Sequence, residues 1–127
     1  MLAKVLVANR GAIARRIIRA CQALNIASVA VYSEADIDAP YLAEATQASP
    51  LRGNSAAESY LDQQQLLAVA AESGADAVHP GYGFLAENPA FAAAVIGQGM
   101  TFIGPEPRWI EQMGDKVNGR RVLGDAG

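Results

Sequence analysis

The residues best suited to chemistry lie in a glycine-aromatic run, His79-Pro80-Gly81-Tyr82-Gly83-Phe84-Leu85, which Glu87 and Asn88 follow closely. The run comes directly after an apolar, strand-like segment at residues 75–78. Glycine allows a ligand or another backbone to come close, because it lacks a Cβ and accepts positive φ. Loops at strand ends are where open α/β sheets bind ligands. The run therefore favours a binding loop, with Tyr82 and Glu87 able to line a pocket; the alternative is a structural turn whose rings cover the core.

A second candidate for chemistry is Lys116, which follows Met113-Gly114-Asp115 at the start of a predicted helix. The unpaired amides of a helix N-terminus favour an anion, and a lysine ammonium is a good point charge for a phosphate. A lysine that is only solvated there would be mildly opposed by the helix dipole. The placement favours an anion near Lys116.

The segment Asn9-Arg10-Gly11 occupies the position of a phosphate-binding turn, because it follows the first predicted strand and opens the first helix. The further glycines of a dinucleotide fingerprint are missing, which argues against a nicotinamide or flavin enzyme. Two interpretations of Asn9 and Arg10 remain open: a functional contact, or bonds to neighbouring loops.

Other polar or reactive residues receive structural interpretations. Glu34 and Asp36 follow the second predicted strand, where we expect a solvated loop with local turn bonds. His79 is the single histidine and has no ligand cluster at metal-binding spacing, so we expect it to bond nearby backbone and expect no metal site. Cys21 lies in an apolar helical stripe and is expected to be a small buried hydrophobe.

The composition limits the class of protein. The chain has 127 residues, 51% hydrophobic and 18% charged, with a net charge of -3. These values predict a single domain over residues 1–127 and give no basic excess for nucleic acid. The chain stops just after a helical pattern with no closing element, and we therefore expect a segment cut from a longer protein. One cysteine fits a reducing compartment, and neither a targeting segment nor a membrane span is apparent. We therefore expect a cytoplasmic protein with no membrane partner.

The elements that must position these residues alternate between strands and helices. A strand at 4–8, an amphipathic helix of about three turns that stops near Asn25 and a strand at 27–31 form a βαβ unit, which predicts a parallel sheet. The later predicted elements are a helix at 41–45, a strand at 47–51, helices at 62–73 and 89–96 capped by Asp62 and Asn88, strands at 75–78 and 101–103, and helices at 107–113 and 116–123. This order predicts a three-layer, Rossmann-like α/β domain with a mainly parallel, doubly wound sheet.

Four segments occur in an order and spacing that resemble the N-terminal domain of biotin carboxylase. They are residues 7–14, residues 30–36, residues 79–88, and residues 102–105 taken with 113–116. The resemblance covers almost the whole chain, and the His-Pro-Gly-Tyr-Gly-Phe-Leu string is its most specific part. It implies a pre-ATP-grasp domain, the first part of a ligase that carboxylates biotin with bicarbonate and MgATP in acetyl-CoA, propionyl-CoA, pyruvate or urea carboxylases.

The resemblance also implies roles for individual residues. Lys116 matches the lysine that contacts the ATP phosphates, and Tyr82, Gly83 and Glu87 match the segment that faces biotin and bicarbonate. The first helix resembles one used in a bacterial homodimer, which implies Arg16 and Arg19 as interface residues. The catalytic base and the Mg²⁺ ligands would lie outside this segment.

The implied partners are the rest of the carboxylase chain (its ATP-grasp and C-terminal domains), a biotin carrier protein or domain, a carboxyltransferase and a second copy of the chain. Alone, the segment is expected to be inactive. Ala12 and Ala23 depart from the family pattern, as does the reduced motif Ala43-Glu44-Ala45, and the biotinylation motif Met-Lys-Met is absent from these residues. Two alternatives stay open: a stand-alone nucleotide-binding protein of flavodoxin-like type, and a non-catalytic assembly module that uses the arginine face of the first helix.

Overall fold

A computed structural model describes residues 2–113 of the chain. Its strands are β1 (Lys4–Val7), β2 (Ala27–Tyr32), β3 (Gln47–Pro50), β4 (Ala77–His79) and β5 (Thr101–Phe102). Its α-helices are α1 (Gly11–Ala23), α2 (Tyr41–Glu44), α3 (Gln63–Ser73) and α4 (Pro89–Gly97), with 3-10 turns at Glu34–Asp36 and Phe84–Glu87. Residues 107–113 are also helical, as predicted. The helix predicted at 116–123 lies outside the described residues.

The five strands form one parallel sheet in the order β3-β2-β1-β4-β5. The chain first builds outward from β1 through β2 to β3, and then returns to place β4 on the other side of β1. Val7 is in register with Ala30 of β2 and with His79 of β4. The reversal of strand order therefore falls between β1 and β4, and the loops after these two strands leave the sheet side by side.

Helices cover both faces of the sheet, so the predicted three-layer α/β architecture is confirmed. Alternate residues of β1 point to opposite faces, as strand geometry requires. Val5 and Val7 pack with α1 and with Tyr41 of α2. Leu6 packs in a second core with α3 and α4, whose buried side chains include Phe91.

Local sequence signals explain the helix boundaries. The Asp62 carboxylate accepts hydrogen bonds from the amides of Gln64 and Gln65, at 3.1 and 3.3 Å, and so caps α3. The Asn88 side chain accepts from the Phe91 amide at 3.1 Å, with Pro89 at the first position of α4. Both predicted caps are confirmed.

The apolar stripe of α1 explains the burial of Cys21, which is confirmed as a core residue. Burial raises the pKa of its thiol above the ordinary value, which leaves it protonated and unreactive at neutral pH. In residues 2–113, no helix combines the length and the hydropathy that crossing a bilayer requires.

Candidate functional site

Asn9 joins the two loops that meet at the reversal of strand order. Its side chain is 1% exposed and lies directly after β1. The Asn9 amide nitrogen Nδ2 donates to the carbonyl oxygens of Pro80 and Tyr82, at 2.9 and 2.8 Å. Its Oδ1 accepts from the Arg10 amide at 2.8 Å. The interpretation that Asn9 bonds a neighbouring loop is therefore confirmed, and the loop it holds is the glycine-aromatic run.

The two glycines of that run differ in what surrounds them. Gly81 has φ +69°, and a Cβ there would lie 2.7 Å from Asn9 Nδ2 and 2.8 Å from Ile13 Cγ2. Gly81 thus lets the loop press against Asn9 and α1. Gly83 has φ +68°, but a Cβ would meet nothing within 4 Å in the described structure. Space beside Gly83 is open to a ligand, whereas space beside Gly81 is filled by the protein itself.

His79, at the end of β4, bonds nearby backbone as predicted. Its Nδ1 accepts from the Gly81 amide at 3.1 Å. Burial lowers the pKa of the imidazole, since the charged form is poorly solvated there. A neutral ring is also the form that can accept this hydrogen bond, so His79 shapes the start of the loop.

Arg10 and Asp36 form an ion pair between the loops after β1 and β2. Arg10 donates from Nε to Asp36 Oδ2 and from Nη2 to Asp36 Oδ1, both at 2.7 Å. The hydrogen bond from Arg10 lowers the pKa of the Asp36 carboxyl to about 2, although burial opposes that shift. The same partner raises the pKa of Arg10 further above its ordinary value. Arg10, like Asn9, therefore bonds a neighbouring loop.

The expectation of a solvated loop at Asp36 is wrong. Asp36 is only 8% exposed and also accepts hydrogen bonds from the Tyr60 hydroxyl at 2.5 Å and from Ser33 Oγ at 3.4 Å. These donors replace water around the carboxylate, which is why it can be buried while charged. Glu34, in contrast, is exposed as expected.

Two tyrosines complete the hydrogen-bonded cluster around Asp36. The Tyr60 hydroxyl oxygen accepts from the Ser33 amide at 3.0 Å, and the Tyr41 hydroxyl donates to the Val31 carbonyl at 2.8 Å. Burial raises the pKa of Tyr41 well above its ordinary value, so this hydroxyl remains a donor. A cavity of about 280 Å³ opens beside the cluster, with Arg10, Asp36, Tyr60 and Phe84 among its lining residues.

A larger groove of about 840 Å³ lies on the α1 face of the sheet. Its apolar lining includes Ile17 and Ile103, and its polar lining includes Arg16, Arg19 and Tyr82. Tyr82 is 73% exposed. The structure thus brings the predicted interface arginines and one predicted loop residue to a common groove.

The arginines of α1 are not equivalent. Arg15 and Arg19 bind the two carboxylate oxygens of Glu44 in α2, at 2.6 and 2.8 Å. These contacts lower the pKa of Glu44, with the hydrogen bond from Arg19 the largest cause. Arg16 is exposed and forms no ion pair within residues 2–113. Of the two predicted interface residues, Arg16 has the freer charge.

The remaining predicted site residues are placed as follows. Gly83 and Glu87 are exposed in the loop after β4, and Glu87 ends the 3-10 turn directly before α4. Lys116 lies outside the described residues. Among the residues that the structure describes, no group of His, Cys, Asp or Glu side chains could hold a metal ion.

Sequence reasoning missed two residues, Tyr60 and Glu44. Tyr60 stands in a segment without periodicity, and no local signal marks its role. Glu44 could have been found, because a carboxylate on the short α2 is the natural partner for the arginines of α1. A signal for the Arg10–Asp36 pair also existed, since a βαβ unit places the ends of its two strands next to each other.

The fold and this edge define the class of protein: a parallel α/β domain whose candidate binding edge lies at the reversal of strand order, where the loops after β1 and β4 are bonded together. The chain belongs to the family described as "Biotin carboxylase, N-terminal domain", whose model matches residues 1–110. The family identified from the sequence motifs is therefore confirmed.

Individual relatives agree with this assignment. The chain is 54% identical to the biotin-dependent acyl-coenzyme A carboxylase alpha3 subunit of Mycobacterium leprae, over 98% of this chain and 21% of that protein. It is 51% identical to a biotin carboxylase of Halalkalibacterium halodurans, over 100% of this chain and 28% of that protein. The chain thus spans less than a third of the length of these relatives.

Solved structures show the same similarity. The biotin carboxylase domain of a thermophilic 2-oxoglutarate carboxylase bound to ADP matches with a TM-score of 0.87 and 47% identity, over 100% of this chain and 28% of that chain. The urea carboxylase of Kluyveromyces lactis matches with a TM-score of 0.86 and 40% identity, over 87% of this chain and 10% of that chain.

Proposed function

We propose that this chain is the N-terminal part of a biotin carboxylase, an ATP-dependent ligase that carboxylates biotin with bicarbonate. The observation that carries the proposal is the loop at residues 79–87, held by Asn9 at the reversal of strand order. That loop lies where α/β sheets bind ligands, and the whole chain is about half identical to enzymes named for this reaction. Residues 1–127 would form one domain, followed in the parent protein by ATP-grasp and C-terminal domains.

The proposed reaction has two steps. Bicarbonate attacks the γ-phosphorus of ATP, which gives carboxyphosphate and ADP. The carboxyl group then passes to a biotin nitrogen, which loses its proton to the catalytic base, and phosphate is released. Charge on the phosphate oxygens must be offset during the first step, and Lys116 is the residue of this chain that we assign to that task.

The loop after β4 suits the biotin and bicarbonate end of such a site. Its backbone is fixed on the Asn9 side, while Tyr82, Gly83 and Glu87 are exposed on the solvent side. A fixed backbone with free side chains can position a substrate at little cost in loop ordering. We therefore assign Tyr82, Gly83 and Glu87 to the biotin and bicarbonate side.

The comparisons support a role in the half-reaction that different carboxylases share. The matching proteins are named for acyl-CoA, pyruvate, 2-oxoglutarate and urea carboxylation, yet each is 40% or more identical to this chain. Their names share carboxylation and differ in the acceptor. We infer that this chain serves biotin carboxylation and that the acceptor is selected elsewhere in the protein. The same holds if the acceptor is a fatty-acid precursor such as an acyl-CoA.

The proposal includes partners and a metal. ADP in a matching structure supports a nucleotide site in the family, and Mg²⁺ would accompany the nucleotide. We place the Mg²⁺ ligands and the catalytic base in the parent protein beyond this chain. A biotin carrier, a carboxyltransferase, and a second copy bound through Arg16 and Arg19 are the proposed partners, and the cytoplasm is the proposed location.

A direct assay tests the function. The purified parent protein is incubated with MgATP, free biotin and labelled bicarbonate, and both ADP formation and acid-labile carboxybiotin are measured. We expect both products, each dependent on bicarbonate, and neither from residues 1–127 alone. ATP-dependent ligation of a different acid with no labelled carboxybiotin would contradict the proposal, as would turnover by the isolated chain.

A further inference from the structure

The proposed substrate loop is held at two places. At one, Asn9 binds the carbonyl groups of Pro80 and Tyr82. At the other, the ring of Phe84 packs on the ring of Tyr60, with centroids 5.5 Å apart and a 31° angle between the planes. Residues 80–84 therefore span the space between two fixed supports.

Each support is connected to the carboxylate of Asp36 through one neighbouring residue. Arg10, the neighbour of Asn9 in the chain, forms the two-bond ion pair with Asp36. The Tyr60 hydroxyl donates to that same carboxylate. Asp36 thus bonds both the chain neighbour of Asn9 and the tyrosine on which Phe84 packs.

The backbone at Phe84 shows why a support is needed. Phe84 has φ +45°, a left-handed conformation that is uncommon for a bulky residue, and it follows Gly83 at φ +68°. A non-glycine residue remains in that region only where its surroundings hold it there. The ring of Phe84 stacks on Tyr60 and packs against the core cluster to which Tyr60 belongs.

From this geometry we propose that Asp36 and Tyr60 are positioning residues for the substrate loop, acting through Arg10 and Phe84 and touching no substrate themselves. The proposal rests on the proposed function, because the loop is taken to bind biotin and bicarbonate. Asp36 fixes the Tyr60 hydroxyl, Tyr60 fixes the Phe84 ring, and Phe84 sets the direction in which the loop presents Tyr82 and Gly83.

The first test measures amide hydrogen exchange in the full-length parent protein, for wild type, Asp36→Asn and Tyr60→Phe. The amides of Ala86 and Asn88 report on the loop, because they donate to the carbonyls of Gly83 and Leu85 at 2.9 and 3.1 Å. We expect exchange in peptides spanning 80–88 to rise about tenfold in both variants while exchange in α3 changes little. Tyr60→Phe keeps the ring and so remains informative if Asp36→Asn folds poorly.

Tyr41→Phe is the matched control. Tyr41 is a buried tyrosine of the same cluster, and the substitution removes its hydrogen bond to the Val31 carbonyl and its 3.4 Å hydroxyl contact with Tyr60, while the bond from Tyr60 to Asp36 stays in place. Tyr41→Phe should lower the overall stability of the fold without a selective rise in hydrogen exchange in the loop. Equal loop exchange in Tyr41→Phe and Tyr60→Phe would overturn the proposal.

The second test is kinetic. In Asp36→Asn and Tyr60→Phe we expect the KM for bicarbonate or biotin to rise about tenfold, with the KM for ATP within about twofold of wild type. Equal effects on every substrate would mean a general structural role and would overturn the proposal. A wild-type parent without carboxylase activity would contradict the proposed function, and hydrogen exchange would then decide the positioning role by itself.

Discussion

The guanidinium of Arg10 and the carboxylate of Asp36 face each other through two hydrogen bonds of 2.7 Å, which tie the end of β1 to the turn after β2. The Tyr60 hydroxyl adds a third bond to the same carboxylate from a segment 24 residues further along the chain. One acidic side chain therefore fixes three separate segments at the edge of the sheet where the candidate site lies.

This ion pair predicts an acid-dependent loss of stability. The pKa of Asp36 is about 2 in the folded chain, below the ordinary value of 3.8. A lowered folded-state pKa contributes stability above the unfolded value and loses it as pH falls through the folded value, so the loss falls between about pH 4 and pH 2. The shift corresponds to on the order of 2 kcal/mol.

Urea unfolding of wild type and Asp36→Asn at several pH values measures this contribution. The variant should be less stable by about 2 kcal/mol at pH 7, and the difference should shrink toward pH 2. Comparison with the variant is needed because other carboxylates with lowered pKa, such as Asp76, also lose stability in acid. A difference independent of pH would contradict the ionised state of Asp36.

Replacing Asn9 by aspartate should make the stability of the fold depend on pH with the opposite sign. In Asn9→Asp, a carboxylate would face two carbonyl oxygens at a position 1% exposed. Repulsion and burial should raise the pKa of the new carboxyl, and the cost at pH 7 should be about 3 kcal/mol. A raised folded-state pKa means that stability returns as pH falls, because the protonated acid can donate one of the lost bonds.

Thermal or urea unfolding between pH 4 and pH 7 checks this, with Asn9→Ala as the control. The alanine variant loses the same donors but has no titrating group, so its stability relative to wild type should not recover in acid. Recovery in both variants, or in neither, would show that the Asn9 amide does not donate to the loop.

Replacing Gly81 should destabilise the fold more than its positive φ alone would. In Gly81→Ala the new Cβ would clash with Asn9 and Ile13, since both atoms lie under 3.0 Å away. Gly74 has a similar φ of +74° with nothing within 4 Å, so Gly74→Ala isolates the conformational cost.

We expect about 1 kcal/mol of destabilisation for Gly74→Ala and about 3 kcal/mol for Gly81→Ala, measured by urea unfolding. The excess at Gly81 is the cost of separating the loop from Asn9. Equal costs at the two glycines would contradict the close packing of loop and helix.

We expect the exposed arginines of α1 to contribute unequally to self-association of the parent protein. Arg16 is free of intrachain ion pairs in residues 2–113, whereas Arg19 is bonded to Glu44. Arg16→Glu should therefore shift the parent from dimer toward monomer in sedimentation velocity more strongly than Arg19→Ala does. Arg52→Glu makes the same charge change at another exposed position and serves as the control; an equal shift in that variant, or none in Arg16→Glu, would exclude a specific interface at Arg16.

Much of the fold could be predicted because its signals are local. The stripe of α1, the caps Asp62 and Asn88 and the short apolar strands each lie within a few consecutive residues. The alternation of these elements then requires a parallel sheet, since parallel strands need crossover connections. The position of the glycine-aromatic run at a strand end followed from the same order.

The βαβ unit gave a signal for the Arg10–Asp36 pair, but the burial of Asp36 could not be predicted, because it depends on Tyr60 and on the path of a segment without periodicity. The same applies to Gly81, where the sequence shows a glycine but not whether a ligand or Asn9 occupies the space beside it. In both cases the deciding contact joins residues far apart in the chain. Local patterns carry no information on such contacts.

The proposed function assigns Lys116 to the ATP phosphates and the loop after β4 to the biotin and bicarbonate of one active site. Its most direct test is steady-state kinetics of the parent enzyme with Lys116→Gln and Glu87→Gln. We expect Lys116→Gln to raise the KM for ATP at least about tenfold and to leave the KM for biotin unchanged, and Glu87→Gln to raise the KM for biotin and to leave the KM for ATP unchanged. Normal KM values for all three substrates in both variants would contradict it.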